Sequence, residues 1–123
     1  MGEKRDYSRY TLRIPCILVK DGMEFSCIVN DISERGISFL FDRERKLIPD
    51  FEKETDLSFQ FIDSFSLGNK LIERPVISKG IIKNRRRIRD GFVYGCYVYD
   101  RDYMKYVEKR KVASFIEYLH RSG

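Results

Sequence analysis

The chain has 123 residues, and its 24 lysine and arginine residues against 19 aspartate and glutamate residues give a formal net charge of +5. Hydrophobic residues make up 42% of the chain and charged residues 35%, which is typical of one soluble globular domain and excludes a disordered tail. No apolar run reaches the roughly 20 residues of a membrane-spanning helix, and the first ten residues contain no signal peptide, so we expect a cytoplasmic protein without membrane insertion.

Apolar residues recur at every second position through most of the chain, as they do in β-strands. The predicted strands cover residues 12–18, 25–29, 37–41, 57–61, 76–83 and 92–99. Pro15 cannot donate a hydrogen bond to a neighbouring strand, so the first strand is expected to lie at an edge or to carry a bulge. Residues 63–74, with Gly68 and Asn69, are predicted to form a loop. Asp90 and Gly91 form a hairpin turn that follows an arginine cluster.

The apolar period changes to that of a helix after Asp100. The stripe predicted to face the core consists of Met104, Val107, Val112, Phe115, Ile116 and Leu119. Asp100 or Asp102 is placed to cap the start of this helix. Six short strands followed by one amphipathic helix predict a mainly β protein, an antiparallel barrel or sandwich with a C-terminal α-helix.

Two arginines, Arg5 and Arg9, precede the first strand in an R-x-x-x-R motif. The planar guanidinium group binds phosphate oxygens and the O6/N7 edge of guanine, in both cases through two hydrogen bonds. Arginine pairs at this spacing are also common in charged, solvated segments, so the motif alone leaves both interpretations open.

A second motif, D-x-S-x-x-G, ends the second strand and contains Asp31, Ser33 and Gly36. In a strand, Asp31 and Ser33 point to one face, where a carboxylate and a hydroxyl accept hydrogen bonds from the N1 and N2 donors of guanine. Gly36 permits a positive φ or a close approach of the backbone. The alternative is a turn that only closes a hairpin.

The order and spacing of these two motifs resemble those of the PilZ domain family, the bacterial receptors for cyclic di-GMP. The resemblance implies a six-stranded antiparallel β-barrel with a C-terminal α-helix, in one domain over residues 1–123. Its parts would be a flexible ligand-binding arm (1–9), a barrel (10–99) and a helix (102–121). It also implies that Arg5 and Arg9 hold phosphates and guanine Hoogsteen edges, while Asp31 and Ser33 read the Watson–Crick edge. Lys4 would influence whether one or two ligands bind, and Arg35 would lie near the ligand.

Five cations with no acid among them lie between Lys83 and Arg89. As the tip of a basic hairpin, this cluster could contact nucleic acid, an acidic partner or the far side of the ligand, or it could be solvated. No aromatic residue is interleaved in the cluster to stack on bases, and the rest of the chain is about neutral, so nucleic acid is the less favoured partner.

Catalysis and metal binding are not expected. His120 is the only histidine, and Cys16, Cys27 and Cys96 are widely spaced, so neither a zinc site nor a histidine-based triad is predicted. We therefore expect a cyclic di-GMP receptor or adaptor without a cofactor, whose arm changes conformation on binding and which regulates a partner protein in motility, polysaccharide or biofilm control. The alternatives are an adaptor that does not bind nucleotide and a small basic nucleic-acid-binding barrel.

Overall fold

The computed structural model describes residues 9–44 and 48–122, with side chains described for 9–44 and 48–119. Its elements are β1 (Tyr10–Lys20), β2 (Met23–Ser33), β3 (Gly36–Asp42), β4 (Asp56–Leu67), β5 (Lys70–Ile88), β6 (Gly91–Val98) and α1 (Arg101–Ser122). The strands pair only in antiparallel fashion and close into a barrel in the order β1-β2-β3-β6-β5-β4, with β4 pairing back to β1. The predicted fold class is confirmed. Except for Arg9, the predicted N-terminal arm lies outside the described residues.

The barrel core is formed by the inward-facing residues of every strand, in keeping with the period of two in the sequence. Its fully buried members include Leu18, Val29, Ile32, Phe39, Phe41, Phe59, Ile82 and Val98. The three cysteines are also buried and are not joined in disulfides. Burial raises the pKa of the Cys96 thiol to about 12, so this thiol remains protonated at neutral pH.

The loop predicted over residues 63–74 is wrong. In the structure β4 and β5 continue through this segment and pair with each other as far as Leu67 and Lys70. Gly68 and Asn69, on which the prediction rested, form only the turn between the two strands, and Gly68 has a positive φ of 66° there. Asp63 begins the segment at a buried, inward position of β4. Its side chain is buried and paired with groups of α1, so the alternation continues through it.

Most of the arginine cluster lies elsewhere than expected, because β5 extends to Ile88. Arg85, Arg86 and Arg87 pair with Tyr94, Val93 and Phe92 of β6, so these three belong to a strand, and only Arg89 lies in the hairpin turn. The register of β5 against β6 shifts between Ile82 and Asn84, which places a bulge at Lys83. A bulge turns the following side chains relative to the rest of the strand, and here it decides which cations face outward.

Strand β1 carries the bulge that Pro15 left open as a possibility. Its register against β2 shifts between Thr11 and Ile14, and Arg13 has a positive φ of 57°. Pro15 itself pairs with Ile28 of β2, while the pairing of β1 with β4 begins only at Cys16. The missing N–H of Pro15 therefore falls just outside the part of β1 that is bonded on both sides.

The stripe predicted for helix α1 is only partly right, since Val107 is buried as predicted but the other fully buried residues were not in it. Tyr103, Tyr106, Val107 and Ala113 are buried, whereas the predicted core residues Val112, Phe115 and Leu119 are about half exposed or more. The predicted stripe did not include Tyr103 or Tyr106, whose hydroxyls both donate hydrogen bonds to groups of the barrel. The capping prediction is confirmed, since Asp100 accepts a hydrogen bond from the Asp102 N–H at 2.9 Å.

Candidate functional site

A row of four residues crosses the outer face of the barrel from β2 to β5. Asp31 pairs with Ser38, Ser38 with Gly95, and Gly95 with Asn84. Neighbouring strands lie about 4.8 Å apart, so Asp31 and Asn84 are separated by roughly 14 Å along the sheet. The two middle positions carry a small side chain or none, which leaves a shallow floor between the polar groups at either end.

Arg9 and Asp31 are brought into direct contact at one end of this row. The Arg9 guanidinium donates to the Asp31 carboxylate at 2.8 Å, across 22 residues of sequence. Ser38 donates its hydroxyl to the same carboxylate oxygen at 2.6 Å. The Arg9 side chain is 64% exposed and the Asp31 side chain 18%, so the ion pair lies at the surface and is open to exchange.

The D-x-S-x-x-G turn lies beside the Asp31 end of this row of residues. Ser33 is buried and pairs with Gly36, where an added Cβ would lie 3.2 Å from both the Ser33 hydroxyl and the Cys96 carbonyl. Gly36 does not have a positive φ, so the close approach is the reason for glycine at this position. Tyr103 of α1 donates its hydroxyl to the Gly36 carbonyl at 2.5 Å. Burial, with smaller contributions from the charges of Asp31 and Cys96, raises the pKa of Tyr103, which keeps this donor protonated.

Strand β5 lies at the opposite end of the row, beside Asn84. Lys83 donates to Glu54 at 2.8 Å, and this hydrogen bond raises the pKa of Lys83. Arg85 pairs with Asp50, and its guanidinium lies 4.3 Å from the centre of the Phe92 ring. These two cations are thus already engaged by acidic groups, so the cluster presents less free positive charge than its sequence suggests.

Two adjoining grooves share Arg9, Asn84 and Gly95 in their linings. One, of about 380 Å³, is also lined by Ser33, Arg35, Gly36 and Lys83. The other, of about 400 Å³, is also lined by Asp31, Ser38, Arg85 and Arg86. Both volumes are within the range of small-molecule sites. We call the two together the β2–β5 groove.

The structure brings most of the sequence-predicted site residues together in the β2–β5 groove. These are Arg9, Asp31, Ser33, Arg35 and Gly36. Arg5 and Lys4 lie outside the described residues. Sequence reasoning did not include Ser38, Asn84 or Gly95, and it included Arg86 only as a member of the basic cluster that could contact the far side of the ligand. The basic cluster was a signal for Arg86, whereas the position of Asn84 depends on the register of β5 after its bulge, which the sequence does not reveal.

A second polar cluster joins α1 to β4 away from this groove. The Asp63 carboxylate accepts a hydrogen bond from the Tyr106 hydroxyl at 2.7 Å and from Nε of Arg110 at 2.8 Å. Burial, followed by the hydrogen bond and the charge of Asp63, raises the pKa of Tyr106. The guanidinium of Arg110 also lies 5.3 Å from the Tyr10 ring centre and 5.1 Å from that of Phe65. The polar groups of this cluster bind one another, and they join α1 to β4.

The β2–β5 groove suits recognition by hydrogen bonds and charge. It offers an exchangeable carboxylate, hydroxyl groups, an amide and several guanidinium groups, which complement phosphates and the donor-rich edge of guanine. Among the side chains that the structure describes, no three His, Cys, Asp or Glu residues are grouped as metal ligands. Within the described segments, no helix combines the length and hydrophobicity needed to cross a bilayer.

Comparison with known proteins identifies a family and several similar solved structures. A sequence model of the PilZ domain matches residues 3–100. The structure entitled Bacillus subtilis inhibitor of motility (MotI/DgrA) is similar to this chain with a TM-score of 0.64 and 13% sequence identity, over 90% of this chain and 53% of that one. The chain therefore spans about half the length of that protein, and at this identity the likeness shows a shared fold. No curated protein matches the chain.

Proposed function

Because this chain belongs to the PilZ domain family, whose members bind cyclic di-GMP and act on effector proteins, we propose that it is a receptor for this dinucleotide with its binding site in the β2–β5 groove. The observation that carries the proposal is the contact between Arg9 and Asp31, which joins the two motifs on one surface. Ser33 and Gly36 border the same groove. The function is binding and signalling, and no step of catalysis is assigned.

The groups in the groove complement the ligand's two guanines and two phosphates. A guanine presents its N1–H and N2–H donors to acceptors, which Asp31 and Ser33 supply. Arg9, and Arg5 from the arm, would bind phosphate oxygens and the guanine O6/N7 edge. Lys4 and Arg35 would add positive charge beside them. Each buried donor or acceptor lost from such a complex leaves its partner unpaired, so single substitutions should be costly.

Ligand binding at this site requires that Arg9 and Asp31 exchange partners. In the structure they are bound to each other, and Ser38 holds Asp31 from the side. The ion pair between them is exposed, and such pairs contribute at most about 1 kcal/mol, so separating them costs little. A guanine then takes the place of Arg9 at the carboxylate, while Arg9 turns to a phosphate.

The same exchange offers a route from ligand to partner. Arg9 is followed by Tyr10, whose hydroxyl donates to the Arg110 carbonyl of α1 at 3.2 Å, so the start of β1 is tied to the helix. We propose that the arm changes conformation on binding and, with the ligand, forms a surface that regulates an effector protein. Equal amide-exchange protection of residues 3–9 with and without cyclic di-GMP would contradict this step.

Motility is a reasonable first output to test, since the structural neighbour is named an inhibitor of motility. Polysaccharide and biofilm control are the other expected outputs. An intact groove with both motifs argues against an adaptor that no longer binds nucleotide. The pairing of Lys83 and Arg85 with acids argues against a nucleic-acid-binding role for the basic cluster.

Calorimetric titration of the purified protein with cyclic di-GMP tests the proposal, with GTP and a short oligonucleotide as controls. We expect saturable binding of cyclic di-GMP alone, and the stoichiometry will give the number of ligands per protomer. Absence of binding by folded protein would overturn the receptor function in favour of the adaptor alternative. Binding of the oligonucleotide alone would favour the nucleic-acid alternative.

A further inference from the structure

The part of β5 that follows its bulge presents its residues alternately to two sides of the sheet. Successive side chains of a strand point to opposite faces, so Asn84 and Arg86 share one face while Arg85 and Arg87 share the other. Asn84 pairs with Gly95, and Arg86 with Val93, and all four residues line the β2–β5 groove. Arg85, although it lies on the other face and is bound to Asp50, also borders the groove, whereas Arg87 lines neither part of it.

Arg86 differs in its partners from the other cations that line the groove. Lys83 is bound to Glu54 and Arg85 to Asp50, while Arg9 is bound to Asp31. Arg86 has no hydrogen bond or ion pair with any residue that the structure describes, and its side chain is exposed on the groove side. It is therefore a guanidinium group that an anionic ligand could engage without first breaking an ion pair among the described residues.

Gly95 opens the floor of the groove beneath Asn84. A Cβ at this position would lie 2.6 Å from Oδ1 and 3.0 Å from Nδ2 of Asn84, so only glycine lets the amide lie flat against β6. Glycine inside a strand often marks a place where another group approaches the backbone closely. In this groove the absent side chain keeps the Asn84 amide low and leaves the space between Asp31 and Arg86 open.

We propose that Arg86, with Asn84 beside it, forms a second recognition site for the ligand and that Arg86 binds a phosphate group of the cyclic dinucleotide. This inference rests on the proposed function. Asp31 and Asn84 lie roughly 14 Å apart along the sheet. The two ends of the groove therefore contact different parts of one extended ligand. The guanine-reading motif occupies one end, and Arg86 supplies the charge at the other.

Arg86→Gln and Arg87→Gln form a matched pair for the test. Each variant removes one positive charge from an exposed position of the same strand, but only Arg86 faces the groove. Calorimetric titration with cyclic di-GMP at one ionic strength should show affinity reduced at least about tenfold for Arg86→Gln and changed less than about twofold for Arg87→Gln. Circular dichroism and thermal melting confirm that both variants are folded.

The salt dependence of binding gives a second readout. Screening weakens an ion pair with phosphate, so Arg86→Gln should bind with a smaller dependence on ionic strength than the wild type, while Arg87→Gln should retain the wild-type dependence. Equal affinities of the two variants, whether both reduced or both unchanged, would overturn the role of Arg86 while the wild type still bound cyclic di-GMP. If the wild type itself did not bind, the proposed function would fail, and this inference with it.

Discussion

Two ion pairs between arginine and aspartate have the same length and very different surroundings. Arg9 with Asp31 and Arg110 with Asp63 are both joined at 2.8 Å. In the first pair the side chains are 64% and 18% exposed, and in the second they are 16% and 2% exposed. The length of an ion pair therefore says little about its role. Burial decides whether one member can exchange its partner for another group or must keep it.

The surroundings of the two aspartates agree with that difference. Asp63 is enclosed by Tyr106 and Arg110, both from α1, so the carboxylate couples the helix to β4. Among the described residues, Asp31 is held by the surface residue Arg9 and by Ser38, and it borders an open groove. Loss of one partner from the buried pair would leave an unpaired charge inside the fold, whereas the carboxylate of the surface pair borders an open groove.

The largest expected effect follows from breaking the buried pair. Arg110→Ala should lower the free energy of unfolding by about 3 to 5 kcal/mol, because it leaves the Asp63 carboxylate buried with only the Tyr106 hydroxyl as a partner. Urea denaturation followed by circular dichroism measures this loss. Arg9→Ala is the control, and it should lose at most about 1 kcal/mol because its pair is exposed.

A double variant separates the charge from the packing of Arg110. Asp63→Asn with Arg110→Met removes both charges and keeps an acceptor for Tyr106, so it should be more stable than Arg110→Ala alone. Equal losses in the double and the single variants would show that packing against Tyr10 and Phe65, and not the ion pair, explains the effect.

Breaking the surface pair should affect ligand binding instead of stability. Arg9→Ala and Asp31→Ala are each expected to weaken cyclic di-GMP binding more than about tenfold, or roughly 1.4 kcal/mol, while both proteins remain folded. Calorimetric titration measures the affinity. Wild-type affinity in both folded variants would remove these two residues from the site.

Asp63 shows where sequence reasoning about the fold reached its limit. The period of two predicted all six strands, since most inward residues are apolar, and the change to a helical period after Asp100 predicted the helix. The partners of Asp63 lie 43 and 47 residues further along the chain, so nothing local indicates that a carboxylate at this position is buried. The tyrosines of α1 were misjudged for the same reason, because their hydroxyl partners are in the barrel.

A smaller effect on binding is expected at the floor of the groove. Gly95→Ala places a methyl group 2.6 Å from the Asn84 side-chain oxygen and touches no backbone atom closely, so the amide should be displaced into the groove with little loss of stability. We expect cyclic di-GMP affinity to fall about threefold to tenfold, as measured by the same titration.

A double-mutant cycle tests whether this effect passes through Asn84. If it does, Gly95→Ala should cause little further loss when introduced into Asn84→Ala. If Gly95→Ala reduces cyclic di-GMP affinity in the Asn84→Ala variant as much as in the wild type, the methyl group blocks the ligand directly. That result would contradict an effect through Asn84.

The candidate site was also predicted only in part, for a geometric reason. The residues on one side of the groove could be predicted from the two motifs, because Arg9 and the turn from Asp31 to Gly36 have a recognisable spacing. The other side depends on strand pairing, since β3 and β6 separate β2 from β5 in the barrel. The bulge at Lys83 then determines that Arg86 faces the groove while Arg87 does not. Residues 84–87 are all polar or basic, so their sequence contains no apolar alternation from which the outward-facing side chains could be predicted.

A backbone amide NMR titration of the wild-type protein with cyclic di-GMP tests most directly whether the ligand binds in the β2–β5 groove. The proposed site predicts the largest shift changes in residues 31–38 and 84–86 and around Gly95, with little change at Asp63 and Arg110. Saturable changes centred on Asp63 and α1, with residues 31–38 unaffected, would contradict a binding site in the β2–β5 groove.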